Sequence, residues 1–304
     1  AAGAGKPAAV SADGEPWDSR VRRIRLASPY GASRRWRLRS FIAKSNDDLR
    51  MEVFIMQLIT MLARAFPEAL WVRPYHILAT GARCGLIETV PGALSLDHLK
   101  KREARRGRPP TLTAILERRH GRRTAALSRA RLALCRSLAA YAVVQHVLAI
   151  KDRHNGNMLL DEEGHLVHID FGFALGLAPG GRYALERAVP FKLTREMVDA
   201  LGGPRAELFC QTFPRLVAAG LRAARDSAPA ILAVAEIMAY RARLPCFEGP
   251  AGATAVDALR TRLLVGASDE EVDARARQLI AASHGALGTT AYDRYQKLRN
   301  GIMP

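Results

Sequence analysis

Lysine is scarce in this chain, cysteine scarcer still, and no apolar run is long enough to cross a membrane. The four cysteines, Cys84, Cys135, Cys210 and Cys246, lie far apart with no CxxC pair and no metal-ligand spacing. That excludes a disulfide framework and a zinc module, and the thiols read as buried groups in a reducing compartment. The longest uncharged apolar stretch, Ser137 to Ile150, falls short of the roughly 20 residues that a spanning helix needs. The first twenty residues are rich in Ala and Gly and lack the apolar core of a secretory signal. The expectation is a cytoplasmic protein, soluble or peripheral on membranes. Acids are also few, 29 against 46 bases, for a net charge of +17, and only seven of those bases are lysine. The basic residues are spread along the chain and are not interleaved with aromatics, which argues against nucleic acid as a partner. Two readings of the charge stay open: a compositional habit that accompanies the abundant alanine, or attraction to an anionic membrane surface.

With 304 residues and 49% hydrophobic composition, the chain can bury a substantial core. Residues 1–16 read as a flexible tail. Arg37 to Ala43 has the length and rough alternation of a strand. The following segment carries Ile55, Leu58, Ile59, Leu62 and Phe66 at the spacing of one helical face. Its Ser45-Asn-Asp-Asp48 opening offers capping oxygens. Short strands are expected near His76–Thr80 and Gly85–Val90. Lys100 to Arg123, with Arg-Gly-Arg-Pro-Pro at its centre, reads as a basic surface insertion holding a short helix near Leu112–Arg119, either a plain solvated loop or one facing a membrane. Leu132–Ile150 reads as a buried helix. Met158–Leu160 and His165–Ile169, joined by Asp161-Glu-Glu-Gly164, have the signature of a hairpin. The remainder is helical, with a capping box at Ser268-Asp-Glu-Glu271 before a helix that stops at Gly285. The expected fold class is α+β and two-lobed: a strand-rich lobe over 17–91 and a larger helical lobe over 92–304, with polar motifs at their junction.

Those motifs supply what phosphoryl transfer needs: a cation on the phosphates, hard oxygen ligands for a divalent metal, and a group to orient the attacking hydroxyl. Asp152-Arg-His-Asn-Gly-Asn157 is followed by Asp170-Phe-Gly172. The five-residue step from Asp152 to Asn157 equals the catalytic-Asp to metal-Asn step of HRDLxxxN. Asp170 lies thirteen residues beyond Asn157, enough for a hairpin that returns both ligands to one place. An amide oxygen and a carboxylate suit Mg²⁺.

The block IKDRHNGNMLLDEEGHLVHIDFGF (Ile150 to Phe173) closely resembles the catalytic and activation loops of the phosphatidylinositol 3-/4-kinase family, a lipid kinase family of two-lobed fold. Lys44-Ser-Asn-Asp-Asp-Leu-Arg-Met-Glu52 resembles its KxxDDLRQE segment, with Met51 where the family usually has Gln. EPW, VRRIR, SPYG, GLIETV, PFKLTREMVDALGG, LPCF and YDRYQKLRNGIM resemble the type III beta branch of its phosphatidylinositol 4-kinases, so the likeness runs from about Glu15 to Met303. It implies ATP with Mg²⁺, or Mn²⁺ in its place, and phosphatidylinositol as acceptor at its 4-hydroxyl. It also implies peripheral attachment to Golgi or trans-Golgi membranes, and regulatory proteins or small GTPases as partners. Lys44 would then sit on the phosphates with Glu52 as the helix acid that holds it. Ser28 in Ser28-Pro-Tyr-Gly31 would cover the phosphates. Glu88 to Val90 would be the hinge for adenine, with Tyr75, Leu159 and Ile169 lining the pocket. Asn157 and Asp170 would be the metal ligands. Asp152 and His154 compete for the base. An imidazole with an ordinary pKa near 6.5 suits proton removal at neutral pH, which favours His154 with Asp152 orienting it or the substrate.

Ala174 to Pro190 is the segment expected to face the acceptor. It holds only Arg182 and Arg187, apart from each other and with Glu186 beside one. A ring already bearing phosphates would need clustered cations there, so an acceptor with one phosphodiester is favoured over a bisphosphate. Tyr292 to Met303 reads equally as an interfacial helix, with apolar groups between cations, or as a terminal helix packed on the large lobe.

Overall fold

The apolar periodicity from Ile55 to Leu62 builds helix α2, Arg50–Ala65, after helix α1, Trp17–Ala27, and strand β1, Phe41–Ser45. These elements belong to a computed structural model that describes residues 15–181, 184–241 and 243–304. Most of the expected tail lies outside the described residues, but Glu15 is docked, its carboxylate accepting from Arg23 Nε and Nη2 at 2.8 and 2.7 Å. Burial of Phe54, Ile55, Leu58, Ile59 and Leu62 fastens α2 to the interior, at about 1.5–3 kcal/mol for each large apolar side chain. The Ser-Asn-Asp-Asp opening does not cap it. Leu49 is the N-cap, without a side-chain bond. Asp48 instead pairs with Arg50, and Asp47 with Lys44.

Strands β2, Ile77–Gly81, and β3, Cys84–Glu88, complete an antiparallel sheet of order β1-β3-β2. The first strand begins at Phe41, four residues later than expected, because the ladder extends only as far as β3 provides partners, with Phe41 opposite Glu88. Upstream, Arg37 donates to the carbonyls of Arg34 and Trp36 and lies outside any strand.

A second antiparallel sheet joins β4, Leu94–Ser95, to the hairpin of β5, Met158–Leu160, and β6, Leu166–His168. Its turn is the expected one: Asp161 Oδ1 accepts the amides of Glu163, Gly164 and His165. Gly164 has φ +104°, and a Cβ there would lie 2.7 Å from the Ala130 carbonyl, so the hairpin tip can seat on the neighbouring helix only with glycine.

In the basic stretch 100–123 the expected short helix is present as α4, Leu112–His120, preceded by α3, Leu96–Arg105, with a largely exposed connection between them. Lys100 is 3% exposed. It donates to Glu196 Oε2 and to the Pro304 carbonyl, both at 2.5 Å. Glu103 is buried with Arg118 as partner. A buried ammonium needs a paired carboxylate, and Glu196 comes from a helix far along the chain, so Lys100 is no surface cation, whereas Arg105, Arg106 and Arg108 remain exposed.

Helix α5, Ala125–Val147, is the central helix of the larger part, buried at every residue from Ser137 to Val147. Around it lie α6, Arg195–Ala200, a π-helical turn at Leu208–Thr212, α7, Phe213–Asp226, and α8, Ala228–Arg241. Then come α9, Gly249–Ala253, α10, Ala255–Arg262, α11, Asp269–Ser283, and α12, Leu287–Asn300. The capping box before α11 is present, with Ser268 and Glu271 bonded reciprocally. The class is α+β, small sheets against a helical bulk. Of the thiols, Cys135 and Cys246 are buried as expected, but Cys84 and Cys210 are exposed. Among the described residues no helix is long and apolar enough to cross a membrane.

Candidate active site

The loop between α5 and β5 turns twice through left-handed backbone, at Ala149 (φ 48°) and Asp152 (φ 64°), and Asp170 beyond β6 does the same at 62°. Such values are uncommon outside glycine and several-fold enriched in Asp and Asn. Arg153 holds both loops in place. It is fully buried and donates from Nε to the Lys151 carbonyl at 2.9 Å and from Nη1 to the Ile169 carbonyl at 2.7 Å. It also donates from Nη2 to the Asp170 carbonyl, and its guanidinium lies over the Phe171 ring at 5.4 Å. Reasoning from sequence passed over this residue, because an arginine between two polar neighbours carries no mark of burial.

The hairpin register then brings the expected metal ligands together. Met158 pairs with His168, and the Ile169 amide donates to the Asn157 carbonyl at 3.1 Å, so Asn157 and Asp170 meet at the open end of the ladder. Asn157 Nδ2 donates to the Asp152 carbonyl at 3.1 Å and to its Oδ2 at 3.3 Å. The amide nitrogen is engaged, which leaves Oδ1 as the atom for a cation. The Asp170 carboxylate is exposed and has no ion pair among the described residues. These hard oxygens fit Mg²⁺. Among the described residues no group of three or more His, Cys, Asp or Glu side chains is placed to hold a metal ion.

His154 Nδ1 accepts the Gly156 amide at 3.1 Å, and Nε2 lies 3.7 Å from Asp152 Oδ1. Burial holds the imidazole below its ordinary pKa, against the opposing charge of Asp152. It is therefore neutral, with its lone pair on Nδ1 and its proton on Nε2 facing Asp152. To act as a base it must release the Gly156 amide. Asp152 Oδ1 also accepts from the Tyr292 hydroxyl of α12, a contact with no signal in the local sequence.

On the first sheet, Lys44 pairs with Gly85 in the β1–β3 ladder, and its ammonium is 3.5 Å from Asp47 Oδ2. Glu52 is thus not its ion-pair partner as expected. Glu52 lies in the first turn of α2, where burial, with Asp170 and Asp47 nearby, pushes its carboxyl up to about 7 against the opposing pull of Lys44 and Arg153. Lys44 and Asp170 both act on Glu52, so the two halves of the site share one electrostatic neighbourhood. Tyr75 is buried there too, its ring 6.4 Å from Phe171.

Leu159, opposite Val167, and Ile169 are half-buried beside the metal ligands. Glu88 accepts from Arg39 and from the His76 amide at 3.1 and 3.0 Å. Val90 lines a 730 Å³ cavity with α1 residues Trp17 and Arg20 and with His120 of α4, a cavity that Lys44, Asn157 and Asp170 do not line. Ser28 is not brought to Lys44. Its hydroxyl accepts the Tyr30 amide and Trp36 Nε1, both at 3.2 Å, and it lines a separate 460 Å³ cavity with Arg22 and Arg25. Arg182 lies outside the described residues. Arg187 is exposed, while Glu186 turns inward, where burial raises its carboxyl pKa against Lys192 and Lys151. Glu186 therefore does not neutralise Arg187 as the linear sequence suggested.

Residues 118–249 match the family model described as phosphatidylinositol 3- and 4-kinase. Over 300 residues the chain is 38% identical to phosphatidylinositol 4-kinase beta of Xenopus laevis, an alignment covering 98% of this chain and 36% of that protein. Phosphatidylinositol 4-kinase beta of Rattus norvegicus and of Callithrix jacchus are likewise 38% identical over 98% of this chain and 35% of their own length. The chain spans about a third of the length of these curated relatives. Residues 118–249 thus carry a phosphatidylinositol 3- and 4-kinase domain, and nearly the whole chain is similar to the kinase-bearing third of these relatives.

Proposed function

We propose that this domain is an ATP-dependent lipid kinase that phosphorylates phosphatidylinositol at the inositol 4-hydroxyl, giving phosphatidylinositol 4-phosphate. The observation that carries the reading is the meeting of Asn157 and Asp170 at the open end of the hairpin, in one neighbourhood with Lys44 through Glu52. Bound Mg²⁺ with ATP would supply charge neutralisation on the transferred phosphoryl group. Asn157 Oδ1 and the Asp170 carboxylate would hold that ion. Lys44, leaving Asp47, would bind the phosphates, with Glu52 behind it. Glu88 to Val90 would meet the adenine edge, and Tyr75, Leu159 and Ile169 would floor the pocket. Ser28 would cover the phosphates once its turn opens away from Trp36.

His154 would take the proton from the inositol hydroxyl, and Asp152 would orient the imidazole through Nε2. The neutral state imposed by burial favours this role. On the acceptor side Arg187, with Arg182, supplies modest positive charge, in keeping with one phosphodiester and not with added ring phosphates. The site would be presented to the cytoplasmic face of anionic membranes, Golgi or trans-Golgi among them.

The test is chromatographic identification of the lipid formed from labelled ATP and phosphatidylinositol vesicles, beside an Asp170→Ala control. Phosphatidylinositol 4-phosphate is expected from the native chain only, with phosphatidylinositol preferred to its bisphosphate. A product phosphorylated elsewhere on the ring, or equal labelling by the Asp170 variant, overturns the assignment.

A further inference from the structure

Residues 292, 296 and 300 stand on one face of α12, and their side chains form a directed chain of hydrogen bonds. Asn300 Nδ2 donates to Gln296 Oε1 at 2.5 Å, Gln296 Nε2 donates to the Tyr292 hydroxyl at 2.6 Å, and that hydroxyl donates to Asp152 Oδ1. The direction is fixed: an amide nitrogen can only donate, so the phenol must turn its own hydrogen toward the carboxylate. Burial, with Asp152 beside it, pushes the Tyr292 phenol well above its ordinary range, so it remains an O–H donor. Tyr292 is 4% exposed, within a helix that also leaves Leu298 in the open.

The oxygen that Tyr292 holds is the same one that faces His154 Nε2, while the other carboxylate oxygen accepts from Asn157. The backbone of Asp152 is left-handed and belongs to no ladder. Its side chain is therefore held at one oxygen from within the loop, by Asn157, and at the other from outside it, by α12. Close approach elsewhere supports this docking: a Cβ on Gly288 would lie 2.4 Å from the Leu185 carbonyl, and Asn155 Nδ2 donates to the Met303 carbonyl at 2.8 Å.

We propose that Tyr292 is a positioning residue for the transfer reaction, fixing the Asp152 carboxylate and through it the orientation of His154 and Asn157. The proposal rests on the lipid-kinase reading for its kinetic consequence, but its structural part stands without it. Hydroxyl deletion in Tyr292→Phe keeps the ring and its packing. The expected result is a fall in kcat of about tenfold to a hundredfold, the cost of losing a group that orients a ligand, with the KM for ATP unchanged.

The experiment pairs initial rates on phosphatidylinositol vesicles with hydrogen exchange of the Gly156 and Asn157 amides, in the native chain, Tyr292→Phe and Gln296→Leu. Exchange in that loop should quicken about fivefold or more in Tyr292→Phe, as local opening becomes easier. Gln296→Leu keeps the phenol but removes its donor, and should show smaller changes of the same kind. Native kcat and native exchange in Tyr292→Phe overturn the proposal. If Tyr292→Phe melts at a lower temperature, Gln296→Leu decides, and native values in it overturn the proposal equally. A native chain that transfers no phosphate to lipid sinks the functional reading alone, since loop exchange still reports whether Tyr292 holds Asp152.

Discussion

Lys192 and Asp293 form an ion pair, Nζ to Oδ1 at 2.6 Å, with side chains 1% and 10% exposed. Lys192 follows the segment expected to face the acceptor and Asp293 is the neighbour of Tyr292, so adjacent residues of α12 hold two different loops. Removing one partner strands a charge inside, which costs about 3–5 kcal/mol. Asp293→Ala should lose that much in urea unfolding. Replacing both residues, Lys192→Met with Asp293→Leu, should recover most of it, because the isolated charge is gone. Equal losses in the single and double variants would show that no stranded charge is penalised and that the loss is that of the ion pair itself.

Arg153 ties the Asp152 loop to the carbonyls of Ile169 and Asp170. A lysine has one ammonium on a flexible stem and cannot reproduce the planar fork. Arg153→Lys should remain folded and lose about a hundredfold in turnover, the scale expected when reacting groups move by about 1 Å. Its nucleotide affinity should change far less. Steady-state kinetics beside nucleotide titration checks this, and retained turnover would mean that the loops hold themselves.

How far the sequence could be read follows the distance over which each feature is determined. The β5–β6 hairpin was legible because Asp161 and Gly164 set its turn within four residues. The α2 helix was legible from apolar spacing, and the buried half of α5 from its uncharged apolar run. The burial of Lys100 was not, since its partner Glu196 lies 96 residues away and a basic stretch looks the same whether or not an acid meets it. Helical spacing shows that residues 292 and 296 share a face but not that the face meets Asp152, 140 residues earlier. The Lys44–Glu52 pair failed for a nearer reason, because Asp47 stands in the turn between them.

Glu52 should make stability depend on pH. Its folded pKa, about 7, lies above the ordinary 4.5, so between these values the native state binds more protons than the unfolded one. Stability then falls as pH rises through that window. A shift of this size corresponds to about 3 kcal/mol, lost between pH 4.5 and 7. Thermal or urea unfolding of the nucleotide-free chain from pH 5 to 8 should show the decline, and Glu52→Gln should flatten it. A Glu52→Gln profile parallel to the native one would place the titrating group elsewhere.

His154 governs the acid limb of the rate profile if it accepts the inositol proton. Burial lowers its pKa below the ordinary 6.5, and the charge of Asp152 opposes that shift without cancelling it. A base works unprotonated, so the acid limb of kcat/KM should have its midpoint below the ordinary imidazole value. His154→Ala should lose about 10²–10⁴-fold, the usual contribution of a positioned base. It should also lose that acid limb, because the group whose protonation caused it is absent. His154→Gln, which preserves a polar contact to Gly156 but cannot take a proton, should be as inactive as the alanine variant. Activity restored by glutamine would mean that His154 shapes the loop, and that proton removal belongs to Asp152.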